Sequence, residues 1–144
     1  MVLVWGFDMS VKRSLKYVSL LKIYTVGKSL YIVCSYAIAP AGEEILAVLG
    51  EDRILYTAID TEIGKEYAAR IVKGVAPNVE KIKVTMFRKI KMIGYNIPMR
   101  FAKALNIEKG DYVLAVSEMN GVLEVIPLHI AMEKIGRFRE TPIL

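Results

Sequence analysis

Residues 85–127 read TMFRKIKMIGYNIPMRFAKALNIEKGDYVLAVSEMNGVLEVIP, and they decide the fold. Ile82, Val84 and Met86 alternate with polar neighbours, which predicts a strand over 82–87. A second short strand is expected over 90–93. Pro98 suits a first helical turn, where its missing N–H costs little. Phe101, Ala102 and Leu105 then give a short helix an apolar stripe, with Arg100 and Lys103 off that stripe. Gly110-Asp111 predicts a turn into a strand over 112–116. Asn120-Gly121 is the strongest short hairpin signal in the chain, and 122–126 returns as its partner. Leu128, Met132 and Ile135 predict a last short helix before Arg137 and Arg139.

This order of elements resembles the swapped-hairpin DNA-binding domain of the AbrB/SpoVT/MazE family over about residues 81–127. Arg88-Lys89, Gly94, Ile97-Pro98, Leu105-Asn106-Ile107 and Gly110-Asp111 carry the resemblance. It implies a dimeric DNA-binding regulator whose barrel forms by hairpin exchange between two copies. Arg88 and Lys89 match the family's Arg-Lys stretch, and Arg100 and Lys103 its basic helix positions. Many members carry a basic residue directly after the glycine and one more residue before Ile-Pro. Here Tyr95-Asn96 follows Gly94, and Tyr95 is expected to stack on or donate to the nucleic acid. The DNA-contacting set is therefore Lys83, Arg88, Lys89, Lys91, Tyr95, Arg100 and Lys103.

The distribution of charge agrees with that set. Of the 20 Lys and Arg and 15 Asp and Glu, residues 1–80 hold nine of each, so the net +5 lies beyond residue 80. Between 81 and 109, Glu108 is the only acid against eight basic side chains. Such a field suits phosphate binding, although a solvated basic face has the same composition.

The first part is predicted to be β-rich. Val11, Leu15 and Val18 suggest a helix over about 9–19, followed by strands at 21–26 and 30–39 around Gly27-Lys28. A hairpin is expected at 45–49 and 54–59. A helix over about 61–73, capped by Asp60 or Thr61, presents Ile63, Tyr67 and Ile71. Gly74 closes it, and Pro77 blocks its return. The expected organisation is a β-rich domain at 1–78 and an AbrB-like domain at 79–144, in an α+β, mostly β fold. Gly42-Glu43-Glu44-Ile45-Leu46-Ala47-Val48 resembles Gly110-Asp111-Tyr112-Val113-Leu114-Ala115-Val116, and Ile54-Leu55 matches Val122-Leu123 at the same spacing. The first part thus reads either as a degenerate repeat of the second or as a chance similarity of Val/Ile hairpins.

Enzymatic chemistry is not expected. The chain has one histidine, His129, and one cysteine, Cys34, so no zinc site of the usual type forms in one copy. No phosphate-binding glycine loop is present, and the acidic pairs at 43–44 and 51–52 lack a His or Cys beside them. No cofactor is predicted. Cys34 reads as a small buried hydrophobe in a reducing, cytoplasmic and nucleoid-associated setting. No apolar run is long enough to span a bilayer. The absence of Gln and the abundance of Lys, Glu, Ile and Val lean toward a thermophile-like composition.

The expected function is a transcriptional regulator or chromatin-associated protein. Its partners are double-stranded DNA and itself, as a homodimer or higher even oligomer, with residues 1–78 open to a protein or small-molecule effector. The alternative is an AbrB-fold interaction module, antitoxin- or adaptor-like. The short basic tail argues against the antitoxin version.

Overall fold

Two successive parts of the chain run through the same sequence of elements. The computed structural model describes residues 17–40, 44–72, 77–117 and 121–140, with backbone alone at 71–72 and 135–140. The first part comprises β1 (Tyr17–Lys22), β2 (Tyr24–Val26), β3 (Ser29–Ser35), the hairpin β4 (Ile45–Leu49) and β5 (Ile54–Ala58), and helix α1 (Glu62–Val72). The second comprises β6 (Val79–Ile82), β7 (Val84–Phe87), β8 (Met92–Ile97), short helix α2 (Met99–Leu105), the hairpin β9 (Tyr112–Ser117) and β10 (Val122–Pro127), and helix α3 (Leu128–Glu140). In the first part, a turn at 36–39 occupies the place of α2.

The strands form two antiparallel sheets, one six-stranded in the order β1-β9-β10-β5-β4-β6 and one four-stranded in the order β2-β3-β8-β7. Neither sheet closes on itself. Both draw on both parts of the chain: β1 pairs with β9, β6 with β4, β5 with β10 and β3 with β8. Each part's leading strand therefore pairs with the other part's hairpin. This corrects the expected division into separate domains at 78/79. That point separates two sequence halves, but every sheet and the main core are built from both.

Chain bends link the two sheets. Ile23 lies between β1 and β2, fully buried at 1% exposure. Its N–H donates to the Asp111 carbonyl at 2.8 Å, and its carbonyl accepts from the Gly110 N–H at 3.1 Å. Gly110 has φ +83°, a conformation that a side chain resists. The Asp111 carboxylate accepts from the Glu108 N–H at 2.8 Å and braces the same turn. The sequence-predicted turn is thus the clamp on the first bend. Lys83 occupies the second bend, between β6 and β7, and its carbonyl accepts from Asn96 N–H at 3.3 Å.

The main core holds Ile32, Cys34, Ile54 and Tyr56 of the first half with Ile93, Tyr95, Phe101, Val113 and Leu123 of the second. A lone AbrB-like segment buries little apolar surface, and here the first half packs against the second within the same chain. On the other side of β4, Leu46 and Val48 join Val79 in a smaller cluster, covered by Tyr67 and Ala68 of α1. β4 is therefore buried on both faces. Helix α1 sits close because Gly64 has no side chain: a Cβ there would lie 2.0 Å from the Ala58 carbonyl oxygen. Thr61 caps the helix, its Oγ1 accepting from the Gly64 N–H at 2.9 Å.

Several local expectations are corrected. Residues 17–19 belong to β1, not to a helix, and the rest of the predicted helix lies outside the described residues. The strand expected over 30–39 stops at Ser35, whose carbonyl accepts from the N–H groups of Ile38 and Ala39, both at 3.1 Å. Arg88–Ile90 is a 3-10 turn, so the strand expected at 90–93 begins later and runs through Gly94 to Ile97. Ile63 is 37% exposed, leaving Gly64, Tyr67 and Ala68 as the packed face of α1. Pro98 precedes α2 with extended backbone, φ −55° and ψ 136°. Phe101, Ala102 and Leu105 of α2 are buried, as their spacing predicts. Asn120 lies outside the described residues, and Gly121 has φ +85°. No helix among the described residues is long and apolar enough to cross a membrane.

Candidate nucleic-acid interface

The four-stranded sheet buries Leu30, Ile32 and Cys34 of β3 and Ile93, Tyr95 and Ile97 of β8 on its inner face. Alternation puts Tyr31, Val33, Met92, Gly94 and Asn96 on the outer face. Hairpin turns of opposite direction end this sheet. Leu30 pairs with Ile97, and Ser35 pairs with Met92. The Gly27-Lys28 turn is thus at one end and the 88–91 turn at the other. Across the seven residues of β3 they are about 20 Å apart, at ~3.3 Å per strand residue.

Arg88, Lys89 and Lys91 occupy the second of these turns, all exposed. No ion pair engages them among the described residues. Lys91 has φ +54°, a conformation costly for a residue with a Cβ. Its N–H donates to the Arg88 carbonyl at 3.3 Å, and its carbonyl accepts from Tyr36 N–H at 3.1 Å. The turn is therefore held to the end of β3, with its three cationic heads unpaired among the described residues. Lys83 is exposed on the second bend, at the far end of β7 and toward the Gly27-Lys28 end of the sheet.

Tyr95 does not belong to this surface. It is 0% exposed, and its hydroxyl donates to the Pro40 carbonyl at 2.7 Å. The residue count after Gly94 places Tyr95 on the inward side of β8, so it cannot reach a nucleic acid. Gly94 is not a turn glycine; it lies in mid-strand between Val33 and Thr85. A Cβ on Gly94 would come 3.2 Å from the Phe87 ring, so its bareness lets that ring lie across β8. Arg100 is exposed but already engaged. It pairs with Glu80, donates to the Pro77 carbonyl, and its guanidinium lies 4.8 Å from the Phe101 ring centroid. Lys103 is exposed on α2, an element apart from the Arg88 turn.

Sequence reasoning missed Lys22 and Lys28. Both are exposed, Lys28 on the turn at the opposite end of the sheet and Lys22 on the first bend. In the succession of elements they stand where Lys83 and the 88–91 turn stand in the second half. The Gly27-Lys28 turn was legible; its place opposite Arg88 was not, because only the β3–β8 pairing creates it.

Between the two basic ends runs an open groove of about 920 Å³. Tyr31, Val33, Met92 and Gly94 form its floor, with Tyr24, Val26, Phe87 and Ile90 among its walls. Among the described residues, Lys22 is its single charged lining residue and no acid lines it.

The remaining titratable groups are structural. Burial pushes the Cys34 thiol up to about 12 and raises the Tyr56 and Tyr95 hydroxyls well above the ordinary phenol value. Hydrogen bonds from Arg53 and then Lys134 hold the Asp52 carboxylate well below its ordinary range. No cluster of potential metal ligands occurs among the described residues, and His129 is exposed.

Comparison with the models of known families, with curated proteins and with solved structures yields no match for this chain.

Proposed function

We propose that this protein binds double-stranded DNA as a transcriptional regulator or chromatin-associated protein. The binding surface is the outer side of the four-stranded sheet. The observation that carries the proposal is the 88–91 turn, where Arg88, Lys89 and Lys91 are all exposed, without acidic partners among the described residues. Arginine can grip a phosphate or a guanine edge through two parallel hydrogen bonds, and lysine serves as a mobile point charge. Lys28 at the opposite end supplies a second, weaker phosphate contact.

The fold is read as a single-chain version of the AbrB-like swapped-hairpin arrangement, the first half being a degenerate repeat of the second. The exchange of leading strands and hairpins between halves supports this. One chain then supplies the two-fold frame that the family resemblance assigns to two protomers. Because its halves differ, the interface is lopsided, with three cations on the 88–91 turn at one end and Lys28 with Lys83 toward the other. A regulator of this kind favours an asymmetric site over a perfect palindrome.

The test is a titration of fluorescent duplex DNA at two salt concentrations. With about four phosphate contacts, the affinity falls by about 10²-fold between 50 and 200 mM salt, since released counterions drive binding. Absence of binding at 50 mM salt overturns the proposal.

One observation favours the second reading, an AbrB-fold interaction module: the floor between the basic ends is apolar. Phosphates gain nothing from such a floor, whereas a protein segment does.

A further inference from the structure

The groove on the four-stranded sheet combines two features that a nucleic-acid surface does not need together. Its walls expose large apolar side chains: Val26 is 65% exposed, Ile90 66% and Tyr24 52%. These side chains neighbour one another across a single concave space, and contiguous apolar exposure of this kind marks interaction sites. The strand turns at the two ends of the sheet carry only basic charges, Lys28 on one and Arg88, Lys89 and Lys91 on the other, and Lys22 lines the groove, while the acids Glu108 and Asp111 sit on the turn that clamps the first bend. At the centre Gly94 stands between Val33 and Thr85 and leaves room for the Phe87 ring.

We infer that this groove docks a protein segment that is both acidic and apolar, its apolar side chains seated between Tyr24, Val26 and Ile90. Its carboxylates then face the Lys28 end and the Arg88-Lys89-Lys91 end. Charge complementarity selects this occupant. A second copy of the chain, facing itself across a two-fold, would oppose its own basic rim. Duplex DNA would satisfy the rim and leave the apolar walls without a partner. Groove and basic turns are one face, so the segment and DNA exclude each other there. This inference does not depend on DNA being bound.

The test uses the full chain and two synthetic peptides of about 14 residues, a length that in extended form more than spans the ~20 Å between the turns. One alternates Leu and Phe with Glu; the other carries Lys in place of Glu. Binding is followed by fluorescence anisotropy, and DNA binding is measured separately. The acidic peptide is expected to bind and the basic one to fail. Val26→Ser with Ile90→Ser should weaken the acidic peptide by at least about 10-fold, the scale of losing one or two buried aliphatic contacts. Unchanged melting and circular dichroism establish that the pair folds. Equal binding of both peptides overturns the inference. So does acidic-peptide binding that Arg88→Ala abolishes but Val26→Ser with Ile90→Ser leaves intact, which would mark a plain polyanion site. A concentration-dependent dimer abolished by Ile90→Ser would give the groove to a second copy. A shift in Trp5 emission caused by the paired groove substitutions, without peptide, would give it to the chain's own first residues. Either result overturns it.

Discussion

The rings of Tyr56 and Tyr95 stack with centroids 5.3 Å apart and planes 16° from parallel. Tyr56 comes from β5 in the first half, Tyr95 from β8 in the second. Each ring finds a buried partner for its hydroxyl in the opposite half: Tyr56 donates to the Asn96 carbonyl at 3.1 Å, Tyr95 to the Pro40 carbonyl at 2.7 Å. Such a pair carries a large buried area and satisfied polar tips. It joins the two halves at their shared core.

The halves should therefore unfold together. Urea denaturation is expected to show one transition, coincident by circular dichroism and tyrosine fluorescence. Tyr95→Phe removes one buried hydrogen bond and should cost about 1 kcal/mol. Tyr95→Ala should cost about 3–5 kcal/mol, again with a single transition. Two resolved transitions, only one moved by the Tyr95 variants, would contradict a shared core.

Gly64 is a sharper test of packing. Its Cβ position lies 2.0 Å from the Ala58 carbonyl oxygen and 2.9 Å from backbone carbon of Ile59. Alanine is normally the better helix residue by about 1 kcal/mol. Here Gly64→Ala must push α1 off β5, and should instead destabilise by about 1–3 kcal/mol. Ala69→Gly, at an exposed position of the same helix, should cost about 1 kcal/mol through propensity alone. Chemical denaturation compares the two.

Much of this architecture was legible in local chemistry. The Gly110-Asp111 turn, the Thr61 cap and the stripe of Phe101, Ala102 and Leu105 depend on residues close in sequence, and each takes its expected place. The similarity of the 42–48 and 110–116 stretches, too, pointed toward matching hairpins. What local pattern could not give was partnership. Nothing in β1 states that it pairs with β9, ninety residues on, so one intertwined body read as two domains. Tyr95 was misassigned for a related reason. Faces of a strand alternate with every residue, and its neighbours Gly94 and Asn96 both face out. Arg100 looked like a free cation because its partner Glu80 lies in another element.

The ionisable groups give the pH limits of the fold. Asp52, placed between Arg53 and Lys134, has its folded pKa depressed from 3.8. Its contribution is present above pH 3.8 and is lost as pH falls through the folded value. The Arg53 guanidinium also reaches Glu124 of the second half at 2.6 Å. Asp52→Asn should therefore lower melting temperature at pH 7, and by a smaller amount at pH 2, where part of the contribution persists. On the alkaline side the sign is opposite. Cys34 is raised from 9.0 to about 12, and Tyr56 and Tyr95 are raised from 10.0. Stability is complete below pH 9 and falls as pH rises, because the unfolded chain releases these protons first. Melting temperature should drop from pH 9 to 11, and native Cys34 should resist a thiol reagent at pH 8 until denaturant is added. Immediate labelling would contradict its burial.

The DNA-binding account rests on one turn, and one comparison tests it most directly. Arg88→Ala, Lys89→Ala and Lys91→Ala are combined, and duplex affinity is measured by anisotropy at 50 mM salt beside Lys65→Ala on the exposed side of α1. Melting temperature controls for folding. Removal of three phosphate contacts should flatten the salt slope by about 3 and lower affinity by at least about 100-fold, while Lys65→Ala binds as the parent. Equal affinity for the triple variant and the parent, with both folded, would contradict the assignment of DNA binding to this turn.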